Sequence, residues 1–274
     1  MFRIDNMKEN NDLVIFFKII EKKYIKSFQK DGQVYFGLLE DYRKMEKNGQ
    51  QNIGDSYEAS LTKQVQIYIS ITDSEYEEVH GHNEGVNLRI NANQCVFCFY
   101  ALGLKCFEKE SETKFSHVIP TDLLEDICND KGGMENCAIM IFDNKFVHSI
   151  IDEIKNRKLS FMSKKVSYDD YDYLPEFDIH SKEYSLECCF HKREKYKYQN
   201  EFRIAVLNTE NAPINDLYVN VESAQLQFIE LKKGYDFRCD INVDAHEKDK
   251  FCDVELDIIC SLNETPSNKD LNKA

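Results

Sequence analysis

Apolar and polar positions along this chain fall into short blocks whose period changes often enough to suggest an order of elements. Leu13 to Ile20 is an apolar run interrupted only by Lys18, the pattern of a strand covered on both faces. Tyr24, Ile25 and Phe28 then recur at helical spacing up to Gly32, a good helix stop because glycine tolerates positive φ. Gln33 to Leu39 returns to strand character, so the opening reads strand, helix, strand. The polar stretch from Glu40 to Leu61 carries Asn48-Gly49 and Gly54-Asp55, which predicts a long functional loop or a short helix and turn.

Further along, Val65, Ile67, Ile69 and Ile71 alternate as in a half-buried strand, and Cys95 to Leu102 is apolar throughout, as a central strand would be. Asp122 and Glu125 are spaced like an acidic cap and its partner, opening a helix that ends at Gly132-Gly133. After a short strand at Ala138 to Phe142, the residues Phe146, Val147, Ile150, Ile151 and Ile154 form one face of a helix capped by Asp143 or Asn144. Ser163 to Tyr168 reads as a strand, followed by an acidic, tyrosine-rich loop with Asp169, Asp170, Asp172, Glu176 and Asp178. Strands are expected near 204–208, 217–221 and 226–231, with a last apolar run near Val254 to Leu262. The sum predicts an α+β fold: a single domain over residues 1–262, with a mixed or mainly antiparallel sheet and flanking helices. The tail, 263–274, lacks periodicity and is expected to be disordered.

Composition narrows the function classes. The 274 residues include 18 Phe and 15 Tyr, ample for a core, and carry a formal net charge of −14. Such a surface opposes non-specific association with nucleic acid or anionic membrane, so a phosphate-bearing ligand has to be met locally. The segment 191–203 offers that locality, with Lys192, Arg193, Lys195, Lys197 and Arg203 against Glu194 and Glu201. The longest apolar runs, Leu13 to Phe17 and Cys95 to Leu102, are too short to span a bilayer, and no apolar leader is evident. A soluble cytoplasmic protein with no membrane partner is the expectation. Ten cysteines, several inside apolar runs (Cys98, Cys137, Cys260), are expected to pack as reduced thiols.

The strongest candidate chemistry lies where Gln199-Asn200-Glu201-Phe202-Arg203 enters the apolar strand 204–207. Gln199 and Glu201, two apart, would share a strand face, as would Glu201 and Arg203. A bland explanation of Glu201 and Arg203 is an ion pair on that face. Two other segments join as candidates: Glu40 to Arg43 continuing to Asp55 and Glu58, and Ser70-Ile71-Thr72 at a strand end. For Asp55 and Glu58 the bland alternative is turn capping and solvation.

The stretches GQVYFGLLEDYRK, IGDSYEAS, KKVSYDD and FHKREKYKYQNEFRIAV, spanning residues 32 to about 207, resemble a bacterial domain family found in phage-defence and abortive-infection contexts. The opening strand, helix, strand and the late Gln-x-Glu are also similar to the layout of ADP-ribosyltransferases. That resemblance implies an effector or toxin that consumes NAD as substrate. Glu201, Gln199 and Arg203 would be its catalytic residues, and Lys18, Tyr35, Tyr42, Arg43, Ser70 and Thr72 would hold NAD. Asp55, Glu58, Lys197 and Tyr198 are further candidates. It also implies a protein or nucleic-acid target engaged through the basic 191–203 strip, and an antitoxin or defence-system partner. The first strand carries Lys18 where those enzymes have Arg or His, and the spacing from Thr72 to Gln199 exceeds their minimum.

Two alternatives remain open at the level of sequence. A basic strip interleaved with Tyr196 and Tyr198 suits a non-enzymatic sensor that binds nucleotide or RNA by charge and stacking. A metal-dependent nuclease would use Asp55, Glu58 and Glu201, but has Glu-x-Arg where Glu-x-Lys is usual. No structural metal is expected: Cys95 and Cys98, three apart in a strand, face opposite sides, unlike the turn of a zinc knuckle. Thiol titration of the denatured, unreduced protein should find all ten cysteines reactive; a clear shortfall would contradict the reduced state.

Overall fold

The computed structural model describes residues 13–50, 60–73, 76–89, 94–168, 186–207, 217–221, 226–243 and 256–265, with no side-chain detail for 13–14, 60–73, 76–89, 104, 243 or 256–257. The acidic stretch expected as a loop at 169–178 and the tail beyond 265 lie outside the described residues. The fold is α+β. In chain order the elements begin β1 (Leu13–Glu21), α1 (Ile25–Asp31), β2 (Gln33–Leu38) and α2 (Leu39–Lys47). Next come β3 (Ser60–Asp73), β4 (Tyr76–Arg89), β5 (Cys95–Gly103), β6 (Glu108–Lys109), β7 (Lys114–Ile119) and α3 (Thr121–Asn129). They continue with β8 (Cys137–Phe142), α4 (Asn144–Asn156), β9 (Phe161–Lys165), β10 (Ser167–Tyr168), β11 (His191–Lys192) and β12 (Glu201–Val206). The last are β13 (Leu217–Asn220), β14 (Gln227–Glu230), β15 (Tyr235–Val243) and β16 (Leu256–Glu264), two residues beyond the Leu262 at which the sequence pattern ends.

The chain forms two compact units, each assembled from separated stretches: residues 1–35, 98–158 and 218–274 in the first, 36–97 and 159–217 in the second. In the first, β1 lies antiparallel between β5 and β8, and β14 pairs with the other edge of β8. Alternation sends Ile15, Phe17 and Ile19 into one apolar cluster, shared with Leu124 and Ile127 of α3 and Phe237 and Ile241 of β15. Phe16 points the other way, stacking on Phe142 and meeting Phe99 edge-on with centroids 5.5 Å apart. Phe142 in turn packs on Phe146 of α4. Burial on both faces is why β1 reads as an apolar run interrupted only by Lys18.

The predicted caps are partly right. The Asp143 carboxylate accepts from the Phe146 N–H at 3.0 Å, so α4 starts where its sequence says. At α3 the acidic cap placed at Asp122 is not used: Pro120 occupies the N-cap, and the Thr121 N–H donates instead to Asp236 of β15 at 2.8 Å. That helix ends at Asn129, a turn before the glycine pair. A second sheet of this unit runs β16-β15-β7-β6, antiparallel throughout.

In the second unit the C-terminal end of β2 pairs with the start of β5, and Phe36 and Phe97 pack there with ring centroids 5.7 Å apart. Gly37 is a close-approach position, because a Cβ there would stand 3.2 Å from the Tyr42 ring. The 40–61 stretch begins as a true helix, α2, and the strand expected at 64–72 is longer: β3 and β4 form a hairpin in register from Ser60 opposite Arg89 to Asp73 opposite Tyr76. β12 pairs antiparallel with β9, while β10 and β11 supply a short parallel pair. Among the described residues no helix is long and apolar enough to cross a membrane.

One backbone position in the first unit is tightly determined. Gly32 ends α1 at φ +57°, donates its N–H to Phe28 O at 3.1 Å and accepts from Val221 N at 3.0 Å; a Cβ there would fall 1.7 Å from Val221 O. Gly234 also has positive φ, +79°, but nothing lies within 4 Å of its would-be Cβ. The two glycines therefore separate backbone strain from collision. Gly234→Ala should cost about 1 kcal/mol and Gly32→Ala at least about twice that, read from urea denaturation. Equal costs would mean that the backbone at Val221 yields without penalty.

Candidate functional site

The basic strip 191–203 is not one continuous element. After β11 the chain turns through a 3₁₀ helix, Glu194–Gln199, and Asn200, held at φ +39° and ψ 49°, redirects it into β12. Non-glycine residues seldom adopt this conformation, and asparagine is among those that tolerate it best. Gln199 is therefore off the strand, and its relation to Glu201 is not the two-residue alternation expected. The two side chains nevertheless converge: Lys192 Nζ donates to Gln199 Oε1 at 2.7 Å and to Glu201 Oε2 at 3.1 Å.

Arg203 does share a strand face with Glu201. Its Nε donates to Glu201 Oε1 at 2.6 Å and its Nη2 to Oε2 at 3.3 Å, a bidentate pair, while Nη1 donates to the Cys189 carbonyl. Glu201 is 7% exposed, Arg203 1% and Lys192 2%, so this is a buried ionic cluster rather than a surface pair. The Glu201 N–H donates to the Tyr168 hydroxyl at 2.9 Å, tying the strand start to β10.

A second carboxylate gathers the rest of the basic segment. Glu46 of α2 accepts from Arg193 Nη2 at 2.7 Å on both oxygens, from Lys195 at 2.9 Å and from the Tyr196 hydroxyl at 3.2 Å. The buried Tyr196 ring has Lys192, Arg193 and Lys195 within 4.7 to 5.5 Å of its centroid, so cation–π attraction helps hold the turn. A third carboxylate, Glu187, is bonded by Lys164 of β9 and lies 3.6 Å from His191 Nε2. The neighbouring His191 and then Lys164 hold its carboxyl down at about 2, against the opposing effect of burial.

The other sequence-predicted residues are spread over the molecule. Lys18 lies in β1 of the first unit, where its Nζ donates to the Cys98 carbonyl, and Tyr35 lies in β2, its ring 5.1 Å from that of Tyr218. In the second unit Tyr42 covers Gly37, and the buried Arg43 donates to Glu40 at 3.1 Å. Ser70 and Thr72 belong to β3, with backbones opposite Val79 and Glu77. Asp55 and Glu58 lie outside the described residues. Lys197, 68% exposed at its side chain, pairs with Glu194 at 2.8 Å, and Tyr198 is 38% exposed. Glu46, Glu187, Lys164 and Tyr168 escaped the sequence reading. The only signal for Glu46 was helical: it lies one turn after Arg43 and Tyr42 in α2.

Among the described residues no group of three or more His, Cys, Asp or Glu is placed to hold a metal. Comparison with family models, with curated proteins and with solved structures finds no match for this chain.

Two outcomes are expected. Removing the charge of Glu201 leaves Arg203 and Lys192 buried beside a neutral group, so Glu201→Gln and Arg203→Ala should each destabilise by about 3–5 kcal/mol in chemical denaturation. Near-neutral values would mean that water or another anion replaces the pair. The depressed Glu187 contributes stability that is complete above about pH 4.5 and is lost as pH falls toward about 2, with an upper bound of about 3 kcal/mol that solvent screening reduces. Denaturation curves of wild type and Glu187→Gln should therefore converge across that window, and a constant offset would remove Glu187 as the source.

Proposed function

We propose that residues 193–199 form a recognition element for a phosphate-bearing nucleotide or single-stranded nucleic acid. One observation carries this reading: both oxygens of Glu201 are bonded to Arg203 and Lys192 inside the fold, whereas the outer side of the same turn offers Lys195, Lys197 and Tyr198. Glu201 is then a positioning residue that fixes the turn, and the ligand meets two ammonium groups and a phenol ring. Lys197 and Glu194 form a surface pair, 68% and 48% exposed, of the kind that holds little free energy and exchanges readily for a phosphate. Lys195 is 50% exposed although its partner Glu46 is only 15% exposed, and its departure would still leave that carboxylate bonded by Arg193 and Tyr196. The overall charge of −14 confines attraction to this turn and makes it steeply salt-dependent. Stacking on Tyr198 adds a contact that is tolerant of base identity.

A second reading rests on a separate observation, the convergence of Gln199 Oε1 and Glu201 Oε2 on one ammonium group. In an ADP-ribosyltransferase-like effector of the phage-defence kind, these two side chains would face NAD, and Glu201 would stabilise the oxocarbenium-like centre as nicotinamide leaves. That requires Glu201 to exchange a cation for a ribose hydroxyl. Incubation with labelled NAD and a cell extract tests it: no label in protein or nucleic acid sinks this reading.

For the binding reading, fluorescence anisotropy with a labelled single-stranded oligonucleotide is the measure. Lys195→Ala with Lys197→Ala should weaken binding at least about tenfold and flatten the salt slope by roughly 0.7 per lysine, and Tyr198→Ala should weaken it by roughly tenfold without changing that slope. Absence of binding by the wild type, or binding indifferent to all three changes, removes the proposal.

A further inference from the structure

We infer that Cys239 and Cys260 form a reversible oxidative modification site, closing to a disulfide when the protein meets a peroxide. The two residues stand directly opposite each other in the antiparallel pair β15–β16. Their side chains point the same way, into the apolar cluster of the first unit, and their sulfurs are 3.4 Å apart, with the Cys260 thiol donating to Cys239. Opposed residues in an antiparallel ladder have Cα atoms about 4.5–5.5 Å apart, inside the span of about 4.4–6.8 Å that a disulfide needs. Bond formation therefore asks for side-chain rotation and a small approach of the sulfurs, with no change of register. Cysteine pairing by sequence spacing could not have found this site, because 20 residues separate the two and only the ladder register brings them together.

The two thiols differ in access. Cys239 is fully buried between β7 and β16, whereas Cys260 is partly exposed on an outer strand. Peroxide reaches Cys260 first. Its thiolate attacks one peroxide oxygen, the O–O bond breaks, and the departing hydroxide takes up a proton to leave as water; Cys260 is now a sulfenic acid. The Cys239 sulfur attacks the Cys260 sulfur, the S–O bond breaks, and that oxygen leaves as water with the proton of the Cys239 thiol. Two thiols and one peroxide become one disulfide and two waters. The Cys260 contact and burial hold the Cys239 thiol protonated, which makes the second step the slower one.

The bridge would tie β16 covalently to β15. It closes a loop through residues 240–259 and so removes freedom from the unfolded chain more than it alters the folded one. The oxidised protein should consequently melt several degrees higher than the reduced one.

The test is titration of the full chain with hydrogen peroxide, followed by thiol counting and a non-reduced peptide digest. Reactive thiols should fall from ten to eight, the mass should drop by two hydrogens, and one cross-linked species should join the peptides containing Cys239 and Cys260. Dithiothreitol should reverse all three changes. Because Cys239 lies in the core and its replacement risks unfolding the unit, the control variant is Cys260→Ser, which should keep its nine remaining thiols under the same treatment. A bridge to Cys252 or any other cysteine, over-oxidation of Cys260 without a bridge, thiol loss in Cys260→Ser, or no thiol loss in the wild type would each overturn the inference.

Discussion

Burial of the Arg203 guanidinium is the constraint on which the second unit is organised. A group with a permanent charge cannot be taken out of water unless its donors find acceptors, and here Glu201 accepts from two of the five and the Cys189 carbonyl from a third. Those bonds fix the start of β12 and the 188–190 turn against each other. Lys192 then adds a second cation to the same carboxylate, which ties β11 to the start of β12. The unusual backbone at Asn200 follows from that geometry: one residue in the left-handed region lets the chain leave a 3₁₀ helix and enter the sheet with Gln199 and Glu201 both directed at Lys192.

The first unit is organised differently, by apolar layers on both sides of β1. Phe17 stacks on Tyr100 with planes 5° apart and packs on Phe237, while Phe16 engages Phe99 and Phe142 on the reverse face. Lys18 is the exception within the strand, and its ammonium group is satisfied by a backbone carbonyl of the neighbouring strand. A role for Lys18 in holding a ligand would compete with that bond.

Periodicity made the class of fold legible, together with β1, the stop of α1 at Gly32 and the cap of α4 at Asp143, because each depends on side chains adjacent in sequence. Signals that depend on distant partners were hidden. Asp122 looked like the cap of α3, yet the bonding group is Asp236, over a hundred residues away. Glu201 and Arg203 were recognisable as a pair, but not as buried, since burial comes from Lys192, Cys189 and Tyr168 closing around them. Glu46 was invisible for the same reason: in sequence it is an ordinary solvated helix residue, and only the packing of the turn against α2 gives it Arg193, Lys195 and Tyr196.

The interleaving of the two units along the chain bears on synthesis. The first unit begins at the N-terminus, but β15, partner of β7, and β14, partner of β8, lie beyond residue 218. The second unit has all its stretches once residue 217 has left the ribosome. During translation the unit that starts second is therefore the first able to close, and the apolar cluster around β1 must wait for Leu231, Phe237, Cys239 and Ile241. No single cut of the gene separates the two, so a fragment of either would have to be rebuilt by joining stretches that the natural chain keeps apart.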